Sequence, residues 1–103
     1  MLIYSKLLII TADLCCFNFD REIHQAFIDG GMYAQSVLNA LHFEGLGSVP
    51  LSASLSKEQE DNVREILNLK ESEMLIMFIG TGKYPDECKT TMSARTKAVI
   101  EIV

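Results

Sequence analysis

The feature that most constrains the fold is an unbroken apolar run over residues 74–79, which ends at Gly80. The run is too short for a typical helix and is typical of a strand that is buried on both faces. Such a strand needs other strands along its edges and other elements over its faces. A second strand is predicted over residues 2–11, and its apolar half, residues 7–10, should lie centrally in a sheet.

A largely apolar helix is predicted over residues 32–43, because its apolar residues recur at helical spacing. Asp29 and the two glycines that follow it are interpreted as the start of this helix, and Gly45 and Gly47 as its stop. Few polar residues interrupt the pattern. We therefore expect this helix to be buried on more than one side.

A second helix is predicted over residues 57–68, after a short link over residues 48–53. Ser56 and Gln59 have the spacing of a capping box, in which each side chain accepts from the backbone N–H of the other residue. The apolar residues of this helix form a narrow stripe. We expect a surface helix that lies on a sheet.

The order strand, helix, helix and strand predicts an α+β (α/β-like) fold in which a central helix packs on a small sheet. The length of 103 residues favours a single domain over 1–103, and two strands alone leave its sheet incomplete. Residues 80–86 are interpreted as the loop that leaves the last strand. The apolar tail over residues 98–103 is predicted to be an extended C-terminal arm that reaches another subunit.

Composition excludes several classes of partner. The formal net charge is −5, from 14 acidic and 9 basic residues, so we expect no nucleic-acid partner. No segment reaches the roughly 20 apolar residues that span a bilayer, and a signal peptide over residues 1–16 is disfavoured because Asp13 interrupts its short apolar run. Three cysteines without metal-ligand spacing indicate no metal site and a reducing, cytoplasmic location.

The residues alone identify no catalytic group. His42 lies in an apolar helix and is interpreted as a hydrogen-bonded structural histidine. Cys15 and Cys16 are adjacent, which strains a disulfide between them, so buried or incidental thiols are the preferred interpretation. Arg95 follows a glycine-containing loop and could hold a phosphate, although most such arginines are solvated or paired.

Read in order, however, the motifs of the chain resemble the nitroreductase family. The resemblance covers roughly residues 5–103, about the C-terminal half of a family subunit, and each block is degenerate while the series is fairly specific. The blocks match the family's central helix with its Gly-Leu-Gly turn, its surface helix, its last core strand with a Tyr-Pro exit, and its C-terminal Ser-x-Arg. They are residues 29–42 with 45–48, residues 63–67, residues 74–80 with Tyr84 and Pro85, and Ser93-Ala94-Arg95.

This resemblance implies a homodimer that binds FMN and passes hydride from NAD(P)H to nitroaromatics, quinones or similar small oxidised acceptors. By position, the flavin ring would lie along Pro50, Leu51, Ser52 and Ala53. Arg95 would contact the FMN phosphate, and Ser93 of the same motif is also expected among the cofactor-binding residues. The flavin would carry the chemistry, so no catalytic side chain is assigned.

Two departures from the family pattern leave alternatives open. Many relatives have a basic residue two positions before the arginine, where this chain has Ser93. The family's first helices, with an Arg-x-Ser-type phosphate motif, are expected before Met1. A non-catalytic dimerising remnant that binds no flavin is therefore the second reading, and an unrelated small α/β binding module is the third.

Overall fold

The computed structural model describes residues 6–17, 22, 24–84, 86 and 99–102. The elements in chain order are β1 (Lys6–Asp13), a short 3-10 turn (Leu14–Cys16), α1 (Gln25–Phe43), β2 (Leu46–Ser52), α2 (Lys57–Leu67) and β3 (Glu73–Lys83). The strands form one antiparallel sheet in the order β1-β3-β2, and α1 contacts all three strands. The predicted α+β class, with a central helix packed on a small sheet, is confirmed.

β3 is the central strand, as the apolar run predicts, and its two neighbours flank it along most of its length. It continues to Lys83, so the prediction of a loop from residue 80 is wrong over residues 80–83. These residues remain in the sheet because Val49 and Gly47 of β2 pair opposite Gly80 and Gly82. Pairing with a neighbouring strand holds a glycine-rich segment that would not form a strand alone.

β1 lies at an edge of the sheet formed by the described residues, so the prediction of a central position is wrong. Leu8 and Ile10 face the core, and Ile10 is buried. Leu7 is 55% exposed. The apolar run therefore reflects packing of one face, together with partial exposure of the other.

β2 corrects the prediction of a link over residues 48–53. Residues 48–52 belong to a strand that pairs with β3 in register, from Leu46 opposite Lys83 to Ser52 opposite Met77. Pro50 is accommodated because β2 pairs with β3 on one side only among the described strands, and proline is tolerated where its nitrogen need not join the ladder.

α1 begins at Gln25, so the prediction that its start lies at residues 29–31 is wrong. Gly30 is an interior, buried residue of the helix, and a Cβ built on it would lie 2.8 Å from two side-chain carbons of Ile76. The glycine lets the helix approach β3 closely. Ala26 and Ala34, one turn away on either side, are also buried.

The outer side of α1 is exposed and mixed in character, because large apolar side chains alternate with the polar Gln35 and Asn39, so the expectation of burial on more than one side is wrong for the chain by itself. Its large side chains are Ile28, Met32 and Phe43, of which Met32 is 67% exposed. The helix ends through Gly45, as predicted, with a φ of 79° in the left-handed region. Gly47 belongs to β2 instead.

α2 starts with the predicted capping box. The Ser56 hydroxyl accepts from the Gln59 N–H at 3.3 Å, and the Gln59 side chain accepts from the Ser56 N–H at 3.1 Å. None of its residues is buried, and Ile66 is 81% exposed, so the surface position is confirmed. Arg64 attaches the helix to the start of β3 by donating to the carbonyls of Lys70, at 3.2 Å, and Glu73.

The core lies between α1 and the sheet. Its buried centre consists of Ile10, Ala34 and Ile79, surrounded by half-buried side chains. These are Leu8, Val37, Leu38, Leu41, Ile76 and Met77.

In the predicted arm, residues 99–102 are exposed and have no regular structure, whereas Ala98 and Val103 lie outside the described residues. Across the described part of the chain, no helix is both long and apolar enough to cross a membrane.

Candidate functional site

The four residues that the family resemblance places along a flavin ring lie together at the end of β2. Pro50, Leu51 and Ser52 are exposed residues of the strand, and Ala53 follows it half-buried. Ser93 and Arg95, the predicted phosphate contacts, lie outside the described residues. The described part of the site is therefore a strand edge and the turn that follows it.

Among the described strands β2 pairs on one side only, so its other edge could offer backbone groups to a ligand. Residues alternate along a strand between directing their N–H and C=O groups toward one neighbour and toward the other side. Because proline has no N–H to give, its nitrogen is expected to face away from β3, and the Pro50 carbonyl and Ser52 N–H share that direction. A planar heterocycle with ring nitrogens and carbonyls could exchange hydrogen bonds with these groups.

Local hydrogen bonds fix the turn after β2. The Ser52 hydroxyl accepts from the Ser54 N–H at 3.1 Å, and the Ala53 carbonyl accepts from the Leu55 N–H at 2.9 Å. The capping box of Ser56 follows directly. The chain is thus held from the strand edge to the first turn of α2, and a site built on it would be preorganised.

A buried side chain holds the other end of β2. The Thr81 hydroxyl donates to the Gly47 carbonyl at 2.9 Å, and Thr81 is 5% exposed. This buried hydrogen bond joins the start of β2 to the end of β3. Thr81 cannot be singled out from the sequence, because a threonine in a glycine-rich segment carries no signal of its hydrogen-bond partner.

A second feature is an open depression of about 220 Å³ at the end of β1, beside α1. Its lining includes the aromatic side chains of Phe17 and Tyr33 and the thiol-bearing Cys16. Cys15 and Cys16 both have exposed side chains, so the interpretation of buried thiols is wrong. The remaining lining residues are Thr11, Ala12, Asp13, Asp29 and Gly30.

Asp13 organises the turn that carries the two cysteines. Its carboxylate accepts from the Cys15 N–H at 2.9 Å and caps the 3-10 turn. This bond lowers the pKa of Asp13 below its ordinary value, and a hydrogen bond with the Ser72 side chain and the charge of Lys70 act in the same direction. The Leu14 N–H donates to the Ser72 carbonyl at 2.9 Å, which ties the turn to the chain before β3.

His42 is predicted to be a hydrogen-bonded structural histidine, whereas the structure places it as an exposed residue in the last turn of α1. A cationic imidazole at that end of a helix would complement the helix dipole.

Within residues 6–17, 22, 24–84, 86 and 99–102, no group of three or more His, Cys, Asp or Glu side chains could hold a metal ion.

Comparison with known proteins places this strand and helix arrangement in a family. The family model for the nitroreductase family matches residues 9–83, which include all three strands and both helices in whole or in large part. The chain therefore belongs to the nitroreductase family, as its motifs predict. A search of curated proteins found no match to the chain.

Two solved structures share the fold. One is a candidate NADH dehydrogenase or NAD(P)H nitroreductase from Parabacteroides distasonis, with a TM-score of 0.70, 20% identity, and coverage of 90% of this chain and 52% of that one. The other is a candidate NADH oxidase from Clostridium acetobutylicum, with a TM-score of 0.61, 21% identity, and coverage of 82% and 49%. This chain thus spans about half the length of each.

Proposed function

We propose that the protein is an FMN-dependent oxidoreductase that moves hydride from NAD(P)H to nitro compounds, quinones or similar small acceptors. The observation that carries the proposal is the family match over residues 9–83. The two structural neighbours, a candidate NADH oxidase and a candidate NADH dehydrogenase or NAD(P)H nitroreductase, are in accord with it.

In this proposal the flavin ring lies along the open edge of β2. The Pro50 carbonyl and the Ser52 N–H would meet polar atoms of the ring, and Leu51 and Ala53 would shape the adjoining surface. Arg95 would bind the phosphate through charge-assisted hydrogen bonds, and Ser93 would lie beside it. Bound FMN would accept and donate the hydride, whereas the chain would orient the flavin ring and provide the polar groups around it.

We further propose that the working unit is a homodimer. The support for this proposal is that Ile28, Met32 and Phe43, three large apolar side chains on the outer side of α1, are exposed in a single chain. A second copy would remove them from water. The exposed apolar residues of the tail, Val99, Ile100 and Ile102, would add to the same contact.

A second candidate function is a non-catalytic dimerising protein that keeps the fold without binding flavin. It is favoured by Ser93, which stands where many relatives have a basic residue. The two candidates differ in one property that can be measured on the purified chain, the retention of FMN.

The test is a visible absorption spectrum after incubation with excess FMN and desalting. Retained flavin with shifted bands is the expected result, and Arg95→Ala should weaken retention because it removes the proposed phosphate contact. Lys6→Ala is the matched control, since Lys6 is an exposed cation on β1, across the sheet from β2. A colourless protein, or equal retention by both variants, would contradict the proposed site.

A further inference from the structure

The depression at the end of β1 is bounded on two sides by the same pair of side-chain types. β1 and the turn that follows it supply a carboxylate, Asp13, and an aromatic ring, Phe17. α1 supplies a second carboxylate, Asp29, and a second ring, Tyr33. Asp29 and Tyr33 are four residues apart in the helix and therefore lie on one face of it. Each wall thus combines one negative charge with one aromatic surface.

Small residues leave room between the two walls. Ala12 of β1 and Gly30 of α1 also line the depression, and neither has a side chain long enough to fill it. The close approach of β3 disfavours a larger residue at Gly30, since a Cβ there would lie 2.8 Å from two carbons of Ile76. The resulting volume of about 220 Å³ is sufficient for a compact group such as trimethylammonium.

The charge around the depression is negative. The Cys15 N–H donates to the Asp13 carboxylate at 2.9 Å and holds the pKa of that carboxyl below its ordinary value, so Asp13 is ionised at neutral pH. Asp29 adds an exposed carboxylate from α1. None of the described lining residues is basic, and Lys70, whose charge acts on the pKa of Asp13, is not among them. A ligand in the depression is therefore expected to be a cation.

The hydrogen bonds of the two carboxylates indicate which kind of cation fits. Asp13 interacts with the Cys15 N–H and the Ser72 side chain, and Asp29 accepts from the Gln25 side chain at 2.8 Å. Carboxylates that already have protein donors act on a ligand mainly through their charge. A quaternary ammonium group suits such a site because it has no N–H that needs an acceptor, and aromatic faces attract it.

We propose that the depression at the end of β1 binds the quaternary ammonium group of a small organic cation. The rings of Phe17 and Tyr33 contact its methyl groups, and the carboxylates of Asp13 and Asp29 balance its charge. β2, which carries the proposed flavin contacts, lies at the opposite edge of the described sheet. The proposal therefore does not rest on flavin binding.

The test is a titration with choline at constant ionic strength, followed by the amide NMR signals of the chain. Choline should cause saturable shifts around the depression, in residues 12–17 and 29–33. The control ligand is 3,3-dimethylbutan-1-ol, which has the same shape but a neutral carbon in place of the cationic nitrogen, and it should bind more weakly. Equal affinities, or no saturable shift with choline, would overturn the proposal.

Variants of Tyr33 test the aromatic wall. The side chain is 62% exposed, so Tyr33→Ala should leave the fold intact and raise the Kd for choline roughly 2- to 5-fold. Tyr33→Phe keeps a ring and should bind nearly as well as the parent chain. Tyr84→Ala is the matched control, because Tyr84 is also exposed and is not a lining residue. An unchanged Kd in Tyr33→Ala, or an equal rise in Tyr84→Ala, would show that the ring does not bind the cation.

Asp29→Asn tests the charge with little change in shape, and it should raise the Kd for choline by up to about 5-fold. Asp61→Asn removes the same charge from an exposed position on α2 and should leave the Kd unchanged. The control matters because the whole chain has a net charge of −5. Equal weakening in both variants would reveal a general attraction of cations to an acidic protein and would rule out the site.

Trimethylammonium groups also occur on lipid headgroups, and co-sedimentation with phosphatidylcholine vesicles separates the two sources. We expect no binding to the vesicles, because the two carboxylates would repel the phosphate of the headgroup. Vesicle binding that is lost in Tyr33→Ala would overturn the assignment to a free small molecule.

Discussion

Two adjacent glycines in α1 show how much depends on single residues. Gly30 is buried against Ile76, whereas Gly31 is exposed and a Cβ there would meet nothing within 4 Å. Their sequence context is nearly the same, and both were interpreted as parts of a helix start. The difference arises only from which side of the helix faces β3, so the two positions should respond oppositely to the same substitution.

We predict that Gly30→Ala destabilises the fold. The new Cβ would lie 2.8 Å from Cγ1 and Cγ2 of Ile76, atoms too near the backbone to move freely. Such overpacking costs about 1–3 kcal/mol, more than the roughly 0.5–1 kcal/mol that alanine gains over glycine within a helix. The free energy of unfolding, measured in urea, should therefore fall.

Gly31→Ala is the matched control, since it makes the same chemical change one residue away. It should raise the free energy of unfolding by about 0.4–1 kcal/mol, because alanine loses less backbone entropy on folding and meets no neighbour. If the two variants shifted stability in the same direction, the close approach of α1 to β3 would be wrong.

At the scale of elements, the sequence predicted best where the signal is local. The apolar run that became β3 and the capping box that opens α2 are both found in the structure. The start of α1 was placed too late because glycines usually interrupt helices, and here tertiary packing against Ile76 overrides that preference. A local sequence pattern cannot predict packing against residues that lie far away along the chain.

The family motifs indicate which residues form the candidate site, but they do not predict that most of these residues form a strand. Residues 50–53 contain a proline and a serine and have weak strand preference, so they were interpreted as part of a link. Residues 50–52 lie on an edge strand of the described sheet because Ile79, Phe78 and Met77 of β3 pair opposite Pro50, Leu51 and Ser52, and Ala53 follows that strand. The strand form of the site is thus decided by β3, nearly 30 residues away along the sequence.

The capping box gives a prediction for α2. Ser56→Ala removes the acceptor of the Gln59 N–H and should destabilise the helix by about 1 kcal/mol. Because no residue of α2 is buried, the effect should appear mainly as faster amide hydrogen exchange in its first turn.

Ser36→Ala serves as the control for this prediction. Ser36 lies inside α1, is exposed, and donates its hydroxyl to the Met32 carbonyl at 3.1 Å, so its loss removes no cap. Helix propensity favours alanine there. Exchange in α2 should be unchanged in this variant, and equal protection of α2 in Ser56→Ala would contradict the capping argument.

For the whole molecule, the main physical constraint is the balance between the apolar side chains that the core buries and those that remain exposed on the surface. The buried apolar residues of the described part are few, and Ile79 is the largest that is fully buried. Exposed large side chains remain on the outer face of α1 and in the tail. The chain also spans about half the length of each of its two structural neighbours.

This imbalance predicts self-association through the outer face of α1. Met32→Glu places a charge among the exposed apolar side chains of that face, and sedimentation at micromolar concentration should shift from dimer toward monomer because the carboxylate would have to be desolvated. Ile66→Glu makes a comparable change on α2, where the side chain is 81% exposed, and should leave the association intact. A monomeric parent chain would rule out the contact, and equal dissociation of both variants would place it elsewhere than on α1.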